Sequence, residues 1–348
     1  MTHLWVRAEE RANERRVGLT PSGAAALRDA GLQVTVEDSL DRIIPTSEYR
    51  AVGVDIAAPG TWRKAPDDAI IFGLKELPDD TGPLTHRHIL FGHAFKGQPS
   101  GRHLLDRFKA GGGTLLDLEY LVDTTGRRVA AFGFWAGYVG AGLSVAAWAA
   151  QQAGRPMAAV TDWPHKDALI LDLSEALAAI GHRRPSALII GALGRTGRGA
   201  TALLEVLGIP PIGWDMAETA HGGPFPEILD NDLFLNCILA TPGVPVFVPA
   251  SAGTTPRRLT VIGDIACDPD SDFSPIKVYD RTTTWDAPVL RVADQPPLDV
   301  MAIDNLPSLL PLESSDDYAA QLLPTLLDLR RDSTGVWARA EATFQQAL

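Results

Sequence analysis

The 348-residue sequence has only two cysteines, Cys237 and Cys267. They form no CxxC pair and keep no metal-type spacing. That excludes a disulfide-stapled scaffold and a thiolate metal site, and it points to a reducing compartment, read here as cytoplasmic. Cys237 lies in the strand-like run "DLFLNCILA", where a free buried thiol is expected. Basic charge is scarce as well: 31 Lys and Arg against 43 Asp and Glu leave a formal charge of −12. Such a chain is a poor partner for nucleic acid or an anionic membrane surface, and an anionic substrate would need a local Arg/Lys cluster. The N-terminal "MTHLWVRAEER" holds no apolar run of signal-peptide type. Long Leu/Ile-rich runs are missing too. No charge occurs from Val129 to Gly154, yet "GFWAGYVGAGLSVAAWAAQQAG" is built from Ala and Gly, whose transfer into lipid gains little. A buried, close-packed helix is the expectation there rather than a membrane span.

What remains is an ordinary globular balance, 45% hydrophobic and 21% charged, on a chain long enough for two cores. "HLWVRA" reads as a first strand. Thr20 and Pro21 can start a helix that Gly31 ends, and "QVTVE" follows as a strand. Further strands are read at Ala69 to Leu74, Ile89 to Gly92 and "GTLLDLEYL", with a helix over Gly101 to Ala110. The second half offers "ALIIG", "PPIGWD", "DLFLNCILA", "RLTVIGDIA" and "PVLRV". Tail helices follow at Asp316 to Leu329, with a kink at Pro324, and at Val336 to Gln346. Strands alternating with helices predict an α/β fold with mainly parallel sheets. The tail helices are expected to return to the first domain, giving 1–134 plus 316–348 as one domain and 135–315 as the other.

"IIGALGRTGRGA" sets Gly191, Gly194, Gly197 and Gly199 between a strand and a helix. A dinucleotide site needs such a turn, so that helix N-terminal N–H groups can meet a pyrophosphate. The spacing is GxxGxxGxG rather than GxGxxG, so context has to strengthen it. Asp215 supplies that context at the end of the next strand, about twenty residues on, where a carboxylate reads the ribose hydroxyls and repels a 2′-phosphate. NAD is therefore favoured over NADP, with Arg195 and Arg198 in the loop as the opposing signal.

Two apolar runs end alike. "AIIFGLKELP" passes through a glycine to Lys75 and Glu76, and "ILFGHAFKG" through a glycine to His93 and Lys96. Open α/β sheets bind ligands outside the carboxyl ends of their strands, so Lys75, His93 and Arg16 in "ERRVGLTP" are site candidates. His86 and His88 in "HRH" lack an acidic or thiol ligand at a matching offset and are read as solvated turn residues.

"RVGLTP", "GLKE" and "GHAFK" resemble the N-terminal motifs of the alanine dehydrogenase, saccharopine dehydrogenase and transhydrogenase superfamily. "EYRAVGVDI", "GRRVAAFGFWAGYVGAG", "GALGRTGRGA", "WDMAET" and "IDNLPSLLP" are similar to those of the NAD-dependent, lysine-forming saccharopine dehydrogenases, and the likeness runs nearly end to end. The resemblance implies two Rossmann-like domains with the active site in the cleft, and NAD as cofactor. It implies saccharopine, L-lysine and 2-oxoglutarate as small-molecule substrates. Lys75 and His93 would be the acid–base pair, Arg16, Lys96 and Arg128 would hold substrate carboxylates, and Glu76 and Glu119 would hold the amino-acid portion. Gly191, Gly194, Arg195, Thr196, Gly197 and Asp215 would hold the coenzyme, with Asp304 near the nicotinamide. Thr196 stands where fungal relatives carry cysteine, so a loop disulfide to Cys237 cannot form. Two alternatives stay open: an opine or amino-acid dehydrogenase with a different amine partner, and an NAD(H)-binding module without turnover.

Overall fold

Thr20 and Pro21 start the first helix as their chemistry requires. The Thr20 hydroxyl accepts the Gly23 N–H at 3.2 Å, and Pro21 fills the first helical position, where its missing N–H costs nothing. Gly31, at φ +84°, then turns the chain into the next strand. The structure, a computed structural model, describes residues 1–78, 80–95, 97, 99–331 and 335–348. These divide into two compact units, Met1–Ala131 with Pro311–Leu348, and Phe132–Leu310.

In the first unit β1 (His3–Val6), α1 (Pro21–Asp29), β2 (Gln33–Glu37), α2 (Thr46–Ala51), β3 (Asp55–Ala57), β4 (Ala69–Phe72), β5 (Arg87–Leu90), α3 (Pro99–Gly111) and β6 (Thr114–Asp117) follow in order. The sheet runs β3-β2-β1-β4-β5-β6 and every pairing is parallel. Its order reverses between β1 and β4, the place where such sheets open a crevice beyond the strand ends. Helices cover both faces, so strands such as β4 are buried at every residue.

That double cover corrects the reading of the "HRH" histidines. Strand β5 begins at Arg87, ahead of its apolar run, so His88 is a strand residue and fully buried, and His86 is buried beside it. The His88 ring meets the Trp62 and Phe108 rings edge-on, each at 5.4 Å. Burial, reinforced by nearby cations, pushes its pKa well below the usual range and keeps it neutral.

The second unit comprises α4 (Gly133–Gln152), α5 (Lys166–Ala179), β7 (Ala187–Ile190), α6 (Arg195–Val206), β8 (Ile212–Trp214), α7 (Met216–Thr219), β9 (Leu233–Asn236), β10 (Val261–Asp264), β11 (Leu290–Asp294) and β12 (Pro297–Met301). Its sheet order is β11-β12-β10-β9-β7-β8, parallel except for the antiparallel edge pair β11–β12. The uncharged stretch forms α4, buried from Gly137 to Val145, the close-packed helix that its Ala and Gly content predicts. Among the described residues no helix is long and apolar enough to cross a membrane. Cys237 falls just past β9, a free, half-buried cysteine packed against the core, and burial pushes its thiol pKa up.

Helices α8 (Pro311–Leu327) and α9 (Gly335–Ala347) belong to the first unit. Helix α8 starts five residues before the expected Asp316, with Pro311 at its first position, and runs on through Pro324 to Leu327. The Ser315 hydroxyl on α8 accepts the Val17 N–H at 2.9 Å, and Phe344 on α9 meets Phe108 on α3 at 5.6 Å.

Candidate active site

Strands β4 and β5 stay paired beyond their ends: Gly73 N–H donates to Ile89 O and Phe91 N–H to Leu74 O, both at 3.0 Å. Lys75 and His93 therefore emerge from neighbouring strand ends on one edge of one sheet. The chain leaving β1 fixes the first of them. The buried Arg7 guanidinium donates to the Lys75 and Glu76 carbonyls, and it pairs with Glu9 at 3.3 Å. The Glu9 carboxylate takes the N–H groups of Leu74 at 2.6 Å and Lys75 at 3.0 Å. Glycine is required at 73, since a Cβ there would sit 2.4 Å from Arg7 Nε.

The Lys75 amine has its pKa lowered, first by burial and then by the Arg16 guanidinium, with Glu14 opposing. Arg16 is itself buried and forked onto Glu14, with Nε and Nη2 at 2.8 and 2.6 Å from its oxygens. Burial works against ionisation of Glu14, but Arg16 outweighs it and holds that carboxyl below its ordinary value. Glu76 is exposed and lies 3.4 Å from Arg11.

His93 is exposed and carries φ +48°, a left-handed conformation rare for a residue with a side chain. Its ring stacks on Phe91 at 6.3 Å, and its Nδ1 lies 3.9 Å from Glu119 Oε2. One buried carboxylate binds this corner together: Asp117, ending β6, accepts the N–H groups of Gly92 at 3.1 Å and Glu119 at 2.8 Å. Arg128 sits on the Val122–Arg128 bridge, and with Arg16 and Asp117 it is within electrostatic reach of the buried Tyr318 hydroxyl. Lys96 lies outside the described residues.

The second unit carries the glycine loop at the end of β7, where its sheet order also reverses. Gly191 has φ +88°, and a Cβ on Gly197 would lie 2.2 Å from the Gly191 carbonyl oxygen, so this loop folds only around glycines. Gly194 is the N-cap of α6 and puts no side-chain oxygen over the helix start. A Cβ there would find nothing nearer than Gly191 O at 3.4 Å. Such a start fits an anionic pyrophosphate. Arg195 and Thr196 open α6 and pack beside Gly133 of α4. Asp215 follows β8 as the N-cap of α7 and reaches back to the loop, its Oδ2 accepting the Leu193 N–H at 3.0 Å and its Oδ1 the Met216 N–H at 2.9 Å. A carboxylate has lone pairs beyond these two for ribose hydroxyls. Asp304 is exposed past β12, three strands from β7 and its glycine loop in the same sheet, or about 14 Å at 4.8 Å per strand.

Residues 5–139 match the family model described as alanine dehydrogenase/PNT, N-terminal domain. The chain is 47% identical to the saccharopine dehydrogenase (NAD(+), L-lysine-forming) of Emericella nidulans, over 99% of this chain and 97% of that protein. The enzyme of the same name from Neurospora crassa is 44% identical over 100% and 96%. The chain belongs to the NAD(+)-dependent, L-lysine-forming saccharopine dehydrogenase family. Solved structures agree on the fold. An L-alanine dehydrogenase superimposes with a TM-score of 0.68 at 17% identity, covering 100% of this chain and 94% of that one. A transhydrogenase from Sinorhizobium meliloti gives 0.60 at 16% identity, with 94% of each chain covered.

Several groups at these strand ends are not among the sequence-derived candidates. Arg7, Glu14 and Asp117 shape the first edge from buried positions, with half-buried Glu9 beside them. Leu193 and Met216 flank Asp215 and are 77% and 82% exposed, apolar surface of the kind that a flat aromatic ring covers. Their signal in the sequence is adjacency alone, one inside the glycine loop and one following its acid.

Proposed function

We propose that this protein oxidatively cleaves saccharopine to L-lysine and 2-oxoglutarate with NAD⁺, a reaction that also runs as reductive condensation. The carrying observation is the Lys75 amine, held below its ordinary pKa one strand away from His93, in a chain of this family. Gly191, Gly194, Arg195, Thr196 and Gly197 would hold the coenzyme pyrophosphate, Asp215 the adenosine ribose, and Asp304 would lie toward the nicotinamide. Bound NAD⁺ supplies a hydride acceptor for the glutarate α-carbon.

Neutral Lys75 takes the proton from the substrate's secondary ammonium, so that the nitrogen lone pair can form the C=N bond as the hydride leaves. His93 takes a proton from the water that adds to that carbon and returns it to nitrogen, and the C–N bond then breaks as the hydroxyl proton passes to the departing lysine amine. One water is consumed, and one proton is released with NADH. Glu119 beside His93 steadies its protonated form. The substrate's carboxylates are matched by Arg16 and Arg128, with Lys96 assigned the same role by its motif. The compartment is proposed to be cytoplasmic, in keeping with two cysteines that are both free.

Following NADH at 340 nm tests the reading. Consumption should be fast with 2-oxoglutarate plus L-lysine and far slower with pyruvate plus ammonia. If pyruvate and ammonia are the better pair, the reading is wrong, and if another amine outruns lysine, only the amine half falls. Asp215→Ala should narrow the preference for NAD over NADP, because it removes the group that takes the ribose diol and repels a 2′-phosphate. An unchanged ratio of kcat/KM values for the two coenzymes would move that role to Arg195 or Arg198.

A further inference from the structure

A cavity lies at the edge of the first unit's sheet opposite Lys75 and His93, before β4 and β5 rather than beyond them. It measures about 110 Å³ and is lined by Trp62, Arg63, Asp80, His86, His88 and Arg107, with Pro83 and Leu84. None of these belongs to the Lys75–His93 edge.

Two of its walls are polar, buried and unsatisfied. Among the described residues neither ring nitrogen of His88 has a hydrogen-bond partner, nor has the Trp62 indole N–H, although both side chains are at most 2% exposed. Neighbouring His86 shows the contrast, since its Nε2 lies 3.3 Å from the Ala65 carbonyl. Buried polar groups are almost always paired, so these point to something that occupies the cavity. The Trp62 ring is firmly set: buried Glu37 takes its backbone N–H at 2.5 Å, and the Arg63 guanidinium lies over its face at 4.3 Å.

The charge of the walls chooses the occupant. Arg63 and Arg107 are both held by Asp80, each at 2.6 Å, which leaves one net positive charge among the described lining residues. Burial, the largest influence, keeps His88 neutral and gives an anion no advantage, but the charges of His86, Arg7, Arg107 and Arg63, which also oppose a proton there, favour one. Neutral His88 and Trp62 then each offer one N–H to it. At about 30 Å³ per water, the space takes three or four non-hydrogen atoms. We propose that this cavity binds a small carboxylate of acetate size, its oxygens on the Trp62 and His88 N–H groups and its carbon end against Pro83 and Leu84.

The test is an acetate titration at constant ionic strength, read on the Trp62 indole resonance in a ¹H–¹⁵N spectrum and assigned by its loss in Trp62→Phe. The resonance should move saturably. Arg63→Ala, at the exposed rim, should weaken the apparent Kd several-fold. His88→Phe, which keeps an aromatic ring in the Trp62–Phe108 cluster, should abolish saturation while kcat and KM stay at wild-type values. A resonance that does not move, or that drifts linearly with concentration, overturns the proposal and leaves the cavity to water. So does an unaltered response in Arg63→Ala, whatever the folding of the histidine variant.

Discussion

Lys75→Met and His93→Gln should each lower turnover by about 10²-fold or more, the usual worth of a positioned acid or base. The affinity for NADH should barely move, since the groups proposed to hold the adenosine half are Asp215 and the glycine loop of the other unit. The double variant should lose less than the product of the single losses, because residues that act on one reacting centre are not additive. The pH dependence has a definite sign. Lys75 is held below its ordinary 10.5, and its neutral form is the proposed base, so the oxidative rate should rise with pH through that lowered value, a limb that Lys75→Met should remove. Stability should run the same way. The folded protein disfavours the ammonium, so Lys75 costs stability in full below its folded pKa and nothing above 10.5. Lys75→Met should therefore melt higher than wild type at neutral pH, with the gap closing as the pH nears 10.5. Near-normal turnover in either single variant would remove that residue from the chemistry.

Those two strand ends are legible in the sequence because an apolar run, a glycine and a titratable group report a buried strand leaving its core. The supporting charges are not. Arg7 and Glu9 sit in "VRAEER" and look like a solvated turn, yet Arg7 is 1% exposed. What buries it is an approach to Gly73, 66 residues away, that no local pattern contains. His88 fails for the converse reason. "HRH" is polar, but β5 begins inside it, and its pairing with β4 and β6 rather than its composition decides that the ring turns inward. Helix α5 goes unread because the position before its first turn holds no Ser, Thr, Asp or Asn; its cap is His165, whose ring accepts the Ala168 N–H at 3.2 Å. Strand β12 is disguised by Asp299, a buried acid paired with Arg291 at 2.5 Å across the β11–β12 pair. Asp215 is legible because the requirement is itself a spacing, an acid one strand after a glycine loop.

The glycines of α4 and α6 carry the other large expected effect, one of packing rather than proton transfer. A Cβ on Gly137 would lie 1.8 Å from the Thr196 carbonyl oxygen, and a Cβ on Gly199 1.8 Å from the Phe134 carbonyl oxygen. Both obstacles are helix backbone, which cannot step aside as a side chain can. In an exposed helix Gly→Ala gains about 1 kcal/mol of propensity, so any loss here must come from the clash. Overpacking of a core costs roughly 1–3 kcal/mol and more when backbone must move. Gly137→Ala and Gly199→Ala should each lower stability in urea by an amount in that range. The two contacts share one interface, so once the first methyl has parted the helices the second should cost little, and the double variant should fall short of the sum. The same displacement carries the Gly194 end of α6 with it, so NADH affinity should drop in both variants while an Ala substitution at Gly253, whose Cβ would meet nothing nearer than Ala293 Cβ at 3.9 Å, leaves it unchanged. Full additivity in urea, or wild-type NADH affinity in a destabilised variant, would mean that the α4–α6 contact and the coenzyme loop are independent.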